Sequence, residues 1–248
     1  MTAAVAIPAR LRSSRLPRKV LADIAGSSML RRTYEVAVDA GCGPVIVLTD
    51  AEEVAVEARS FGATVLMTAP EVESGTARIA SVLDRIDADI VVNLQGDAPL
   101  TDPDVLTRSV QEAERSGALV TMPVHRIGSM REVLDPNVVK VVRGRDGRAL
   151  YCSRTPIPYV RDEDAGQWLR VARFWAHMGL YAYRRDFLAA FDAFPPSPLE
   201  DAERLEQLRW LEAGVRVHTF EVAPQGPSVD TPGDLERVRA AFLAGAAR

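Results

Sequence analysis

Four short, mostly apolar runs constrain the chain more than any other feature: residues 3–7, 45–48, 64–67 and 89–94. None alternates polar with apolar residues. An unbroken apolar run of this length reads as a strand covered on both faces. Between the runs lie segments with helical signals. Ser27 or Ser28 can cap a helix through Val38, closed by Gly41. Residues 51–61 read as helix with Gly62 as the stop, 75–86 as helix, and Pro103 opens a helix to Arg115. Strands alternating with helices of about three turns predict βαβ units and a mostly parallel sheet. Such sheets bind ligands beyond the C-terminal ends of their strands. The polar clusters after Ile7, Leu48, Met67 and Leu94 all fall at that edge.

Beyond about residue 119 the pattern changes. Residues 138–142 and 149–152 flank a Gly-containing turn and read as a hairpin. A strand is expected over 177–183, a helix over 199–213, a strand over 216–222 and a last helix over 231–243, opened by Pro232. There is no long linker, repeat or low-complexity tract. The expectation is one α/β domain over residues 1–248. Its core spans about 1–125 and 184–248, and a smaller mixed β/α lobe spans about 126–183.

Composition removes several function classes. Thirty basic against thirty-four acidic residues leave a net charge of −4, which argues against a nucleic-acid or membrane-surface binder. The two cysteines, Cys42 and Cys152, form no CxxC pair, so neither a disulfide framework nor a thiolate zinc site is expected, and a reducing cytoplasm is the default. No run of about 18 apolar residues exists to span a bilayer, and the N-terminus lacks the basic region of a signal peptide. The three histidines show no HxxxH or HExxH spacing. One count stands out. Of the thirty basic residues only Lys19 and Lys140 are lysine.

The stretch from Pro8 to Lys19 holds Arg10, Arg12, Arg15, Arg18 and Lys19, and it directly follows the first strand. Guanidinium forks, one compact ammonium, loop N–H groups and the Ser13 and Ser14 hydroxyls together suit a triphosphate. The stretch lacks GxxxxGK[ST] and GxGxxG, so neither a Walker A loop nor a dinucleotide fingerprint is present. Asp97 follows the fourth apolar run, and Asp230 precedes the last helix. Two aspartates at the ligand edge could hold Mg²⁺, which takes hard oxygen ligands and only one or two carboxylates. As alternatives, Asp230 could cap the helix and Asp97 could serve a turn.

These residues stand in motifs that resemble those of the 3-deoxy-manno-octulosonate (KDO) cytidylyltransferases. The resemblance runs through Ile7-Pro8-Ala9-Arg10, Ser14-Arg15-Leu16-Pro17-x-Lys19, Ser74-Gly75-Thr76 with Arg78, and Asn93-Leu94-Gln95-Gly96-Asp97. It continues through Pro136-Asn137-x-Val139-Lys140, Tyr151-x-Ser153-Arg154, His177-x-Gly179-x-Tyr181-x-Tyr183, Leu205-Glu206-Gln207 and Val229-Asp230-Thr231-Pro232. It covers nearly the whole chain in order. It implies a Rossmann-like nucleotidyltransferase fold, a cytoplasmic homodimer, and CTP-dependent transfer of CMP to an anionic acceptor with release of pyrophosphate. It further implies a catalytic set of Arg10, Arg15, Lys19 and Asp97. Nucleotide contacts would come from Arg10, Ser14, Lys19, Ser74, Arg78 and Gln95, and acceptor contacts from Arg154, His177, Tyr181, Glu206 and Gln207. Mg²⁺ would sit on Asp97 and Asp230.

Two departures bear on the acceptor. The family usually reads Gln-Gly-Asp-Glu-Pro, whereas this chain has Ala98 after Asp97, and it carries Arg18 where the family favours glycine. The site thereby loses a negative charge and gains a positive one. An anomeric hydroxyl must lose a proton to attack phosphorus, but a phosphonate oxygen is already ionised. KDO is therefore the leading acceptor, a phosphonate such as phosphonoformate the alternative, and a regulator that binds nucleotide without catalysis a third reading. For Lys140 the sequence offers no physical reason to avoid arginine.

Overall fold

The apolar runs become the centre of one ten-stranded sheet in the computed structural model, which describes residues 1–11, 16–72 and 74–245. Strands β1 (Ala3–Pro8), β4 (Val45–Thr49), β5 (Thr64–Met67) and β6 (Ile90–Asn93) lie parallel in the order β5-β4-β1-β6. Val5, Ala6, Ile7, Val91 and Val92 are wholly buried, as strands covered on both faces must be. A large aliphatic side chain buried this way contributes about 1.5–3 kcal/mol. The two-residue strands β2 (Asp23–Ile24) and β3 (Ser27–Ser28) form a separate ladder.

Helices fill the crossovers. Helix α1 (Met29–Asp39) is capped by Ser28, whose hydroxyl accepts from the Arg31 N–H at 3.2 Å. Helix α2 (Glu52–Ser60) precedes Gly62, and α4 (Pro103–Ser116) starts with Pro103 and ends at Gly117 with φ +63°. Helix α3 (Gly75–Ala80) is shorter than the expected 75–86. The Ser81 hydroxyl donates to Arg78 O at 2.9 Å. The next turn is a 3₁₀ helix whose Leu83 and Ile86 carbonyls accept from the Arg185 guanidinium.

The second half continues the same sheet with antiparallel strands. Strand β7 (Val120–Arg126) takes β12 (Val217–Glu221) in parallel along residues 120–124. Its other edge pairs antiparallel with β11 (Tyr181–Arg184) at residues 120–121 and with β10 (Trp175–His177) at residues 124–126. Strand β11 joins antiparallel to β6, and β10 leads to the hairpin β8 (Lys140–Arg143) and β9 (Ala149–Ser153). The hairpin expected from sequence is present. The strand expected over 177–183 is instead two, because Gly179 adopts φ +75° between β10 and β11. Helices α5 (Met130–Leu134), α6 (Trp168–Val171) and α7 (Arg185–Ala189) are short.

The helix expected over 199–213 is also two pieces, α8 (Pro198–Glu203) and α9 (Gln207–Glu212). Arg204 between them is left-handed, with φ 52°. The carbonyls freed there are taken up by Arg154, which donates from Nε to Glu203 O at 2.7 Å and from Nη2 to Arg204 O at 3.3 Å. Helix α10 (Pro232–Leu243) closes the described chain and follows its sequence signals closely. Its cap is Thr231 rather than Asp230, in a reciprocal box with Asp234.

Candidate active site

Parallel neighbours β1 and β6 end side by side, so the loop after Pro8 and the loop after Asn93 share one cleft. Pro8, Arg10, Lys19, Val20, Gln95, Gly96, Asp97 and Asp230 line it. Gly96 permits the close approach. A side chain there would meet Pro8 O at 3.2 Å, and the Gly96 N–H itself donates to that oxygen. Asp230, distant in sequence, arrives because the Val229 N–H donates to Asp97 O at 2.9 Å.

Lys19 is the centre of the cleft. Its ammonium donates to Asp97 Oδ2 and, at 3.1 Å, to Asp230 Oδ1. Burial alone would lower its pKa, but the two carboxylates outweigh that and leave it raised, so it stays cationic. Arg18, at the position where the family favours glycine, is left-handed with φ 58° and forms an ion pair with Glu53. A residue without a Cβ adopts that conformation at lower cost.

Two carboxylates converging on one cationic centre are a donor set that suits Mg²⁺ completed by phosphate and water oxygens. Among the described residues no group of three or more His, Cys, Asp or Glu side chains forms a protein-only cage. Ala98 supplies no oxygen of its own side chain and packs partly buried against the core. Ser14 and Arg15, named from the sequence, lie outside the described residues.

The nucleotide-side candidates gather next to this cleft. Ser74 caps α3 by accepting from the Ala77 N–H at 3.1 Å. Arg78 is buried and held by Thr68 Oγ1 and by Val72 O at 2.9 Å, with Asp50 at 3.7 Å. Burial lowers its pKa, and the nearby positive charge of Arg10 adds to the shift. Gln95 donates to Asn93 Oδ1 at 2.8 Å.

A second, buried polar cluster lies where β10 and β11 part. His177 and Tyr181 flank the Gly179 kink with ring centroids 4.7 Å apart, and Tyr181 stacks on Tyr183 at 5.5 Å. Glu206 and Gln207 enter from the break between α8 and α9. Thr76 donates to Glu206 Oε2 at 2.7 Å. Burial raises the Glu206 pKa and pushes that of His177 down to about 4. Five buried side-chain atoms among the described residues have no hydrogen-bond partner, and three of them are His177 Nε2, Glu206 Oε1 and Gln207 Nε2. Unmet donors and acceptors in one place are what a polyhydroxylated, charged ligand would satisfy.

Arg154, the remaining acceptor candidate, spends its guanidinium on the carbonyls of Pro136, Glu203 and Arg204. Thr76, Asn93 and Tyr183 stand in the motifs that carry the family resemblance, but the sequence assigned none of them a contact. The structure sets them around Gly75. A side chain on it would come within 2.9 Å of Gln95 Nε2 and 3.4 Å of Asn93 Nδ2.

A parallel sheet edge with Arg10, Lys19 and two aspartates, beside a separate buried polar cluster, suits a nucleotide and a second substrate. The fold recurs in other proteins. A cytidylyltransferase structure from Leptospira borgpetersenii superposes with a TM-score of 0.65 at 16% identity, covering 98% of this chain and 87% of that one. The chain belongs to the cytidylyltransferase family, whose model matches residues 4–217, and it is thus a nucleotidyltransferase. Curated relatives are similar over nearly their whole length. The 3-deoxy-manno-octulosonate cytidylyltransferase of Geobacter metallireducens is 47% identical, covering 94% of each chain. The Escherichia coli protein of the same name is 44% identical over 96% of this chain and 95% of its own. A solved structure of CMP:2-keto-3-deoxy-manno-octonic acid synthetase complexed with CTP matches with a TM-score of 0.92 and 44% identity, covering 99% of this chain and 100% of that one.

Proposed function

We propose that the protein transfers CMP from CTP to 3-deoxy-manno-octulosonate, with Mg²⁺ as cofactor, giving CMP-KDO and pyrophosphate. The observation that carries this reading is identity of 44% or more, over nearly the full length, to relatives named for that acceptor. It favours the sugar acid over a phosphonate. The three unpartnered polar atoms of the second cluster support the same choice, since a sugar acid offers both hydroxyls and a carboxylate.

The acceptor's anomeric hydroxyl gives up its proton to solvent, and its oxygen forms a bond to the α-phosphorus of CTP as the bond to the bridging oxygen of the leaving pyrophosphate breaks. Arg10, Arg15 and Lys19 hold the triphosphate and the departing pyrophosphate, while Ser14, Ser74, Arg78 and Gln95 serve the nucleotide. Asp97 and Asp230 would hold Mg²⁺, which when bound supplies charge neutralisation on the phosphate oxygens. His177, Tyr181, Glu206 and Gln207 orient the acceptor, and Arg154 supports the segment that carries Glu206. His177 acts as a neutral ring at physiological pH, its pKa being near 4.

The test is pyrophosphate release over an acceptor and nucleotide panel. Release with CTP and KDO, dependent on Mg²⁺ and absent with ATP, GTP and UTP, is the expected result. Release with phosphonoformate and none with KDO would move the acceptor to a phosphonate. Tight CTP binding without release from any acceptor would leave a nucleotide-binding regulator. We further propose a cytoplasmic homodimer formed through the 126–183 lobe, where Leu134, Leu150, Tyr159 and Val171 are exposed. Sedimentation at micromolar concentration tests the dimer. No helix among the described residues is long and apolar enough to cross a membrane.

A further inference from the structure

Between the nucleotide cleft and the acceptor residues runs a row of polar side chains, most of them hydrogen-bonded to the next. Gln95, which lines the cleft, donates from Nε2 to Asn93 Oδ1 at 2.8 Å. The Asn93 side chain lies beside that of Tyr183. Tyr183 Oη lies 2.8 Å from Thr76 Oγ1, and Thr76 lies 2.7 Å from Glu206 Oε2. Thr76, Asn93 and Tyr183 are all buried.

The inventory of donors and acceptors sets the direction of the chain. An ionised Glu206 carboxylate only accepts, so the single Thr76 hydroxyl proton must go to it. Thr76 Oγ1 then accepts from the Tyr183 hydroxyl. Two hydrogen-bonded groups result, Gln95–Asn93 and Tyr183–Thr76–Glu206, and they meet where Asn93 lies beside Tyr183. Gly75 leaves the space, because a side chain there would press on both amides.

We propose that Asn93, Tyr183 and Thr76 are positioning residues that couple the two subsites, so that nucleotide and acceptor each bind more tightly when the other is present. Two physical effects act together. Hydrogen bonds in series polarise one another, so a ligand that engages the Gln95 end strengthens the hold on Glu206. The first ligand also fixes the buried hydroxyl rotors, and the second meets a site already ordered. Binding linkage makes the effect reciprocal. The proposal rests on the reading of the second cluster as the acceptor site.

The experiment measures binding of the α,β-methylene analogue of CTP, which cannot release pyrophosphate, by calorimetry with and without saturating KDO. Binding of KDO is measured with and without the analogue. In the unmodified protein each ligand is expected to tighten the other by the same factor, about fivefold or more. Tyr183→Phe and Thr76→Val each bring that factor below about twofold while the analogue alone binds within about threefold of normal. Thr76→Ser, which keeps the hydroxyl, retains the coupling. A coupling factor unchanged in both folded variants overturns the relay, and so does a factor of one in the unmodified protein when both ligands bind. Pyrophosphate release from CTP and KDO judges the acceptor reading separately, because turnover does not require the subsites to be coupled.

Discussion

The two lysines of an otherwise arginine-writing chain have different physical reasons to be lysine. Lys19 serves as a point charge between Asp97 and Asp230, a geometry in which a planar guanidinium would engage one carboxylate at the expense of the other. Lys19→Arg is expected to lower kcat/KM for CTP at least tenfold, measured by pyrophosphate release; full retention would remove the special role of the ammonium. Lys140 is fully buried and its Nζ donates to Asp135 O at 2.8 Å. Burial lowers its pKa. With the side chain fully enclosed, Lys140→Arg should overpack its surroundings and cost about 1–3 kcal/mol in urea denaturation. His177 gives a pH signature. Its pKa falls from 6.5 to about 4 on folding, so the unfolded chain binds more protons between those values. The stability from its neutral ring is complete above pH 6.5 and is lost as pH falls toward 4. Relative to His177→Asn, the unmodified protein should lose about 1–2 kcal/mol between pH 7 and pH 5. Parallel stability profiles for the two proteins would contradict this.

At the scale of elements, start and stop signals were legible wherever the cause is local. Ser28, Gly62, Pro103 and Pro232 all stand where capping chemistry places them. The miscalled elements share another cause. Apolar spacing carried the expected helix straight through Arg204, but Arg154, fifty residues away, takes the carbonyls that a continuing helix would have used. The turn between α1 and β4 shows a similar long-range constraint. A Cβ on Gly43 would sit 2.0 Å from Ala3 O, with φ at +143°. Gly43→Ala should therefore cost about 3 kcal/mol or more. Gly117→Ala, with φ +63° and open space, should cost about 1 kcal/mol. Equal denaturation midpoints for the two would refute the steric account.

At the scale of the whole molecule, the candidate site is an outcome of topology. Strands β1 and β6 are neighbours, and the Val229–Asp97 backbone bond draws the chain before α10 to their ends. Asp97 and Asp230 then both accept from the Lys19 ammonium, and the proposed Mg²⁺ role would use them as a pair. Residues that act as a unit are not additive. Asp97→Asn and Asp230→Asn are each expected to lower kcat at least a hundredfold and to raise the Mg²⁺ concentration needed for half-maximal rate. The double variant should be no more than about tenfold worse than the weaker single. Multiplicative losses would separate the two carboxylates into independent roles.

What the sequence determined by itself is the part written in local chemistry. Apolar runs too short for helices became strands buried on both faces, and cap residues ended most helices where they stand. The ordered motifs pointed to a cytidylyltransferase. Tertiary structure decided how those pieces meet. It placed Lys19 between two aspartates, broke the strand at Gly179 and the helix at Arg204, and set three buried side chains between Gln95 and Glu206. Periodicity records which face of an element is buried. It does not record which distant carbonyl, carboxylate or hydroxyl will be waiting there, and in this protein the site is made of those encounters.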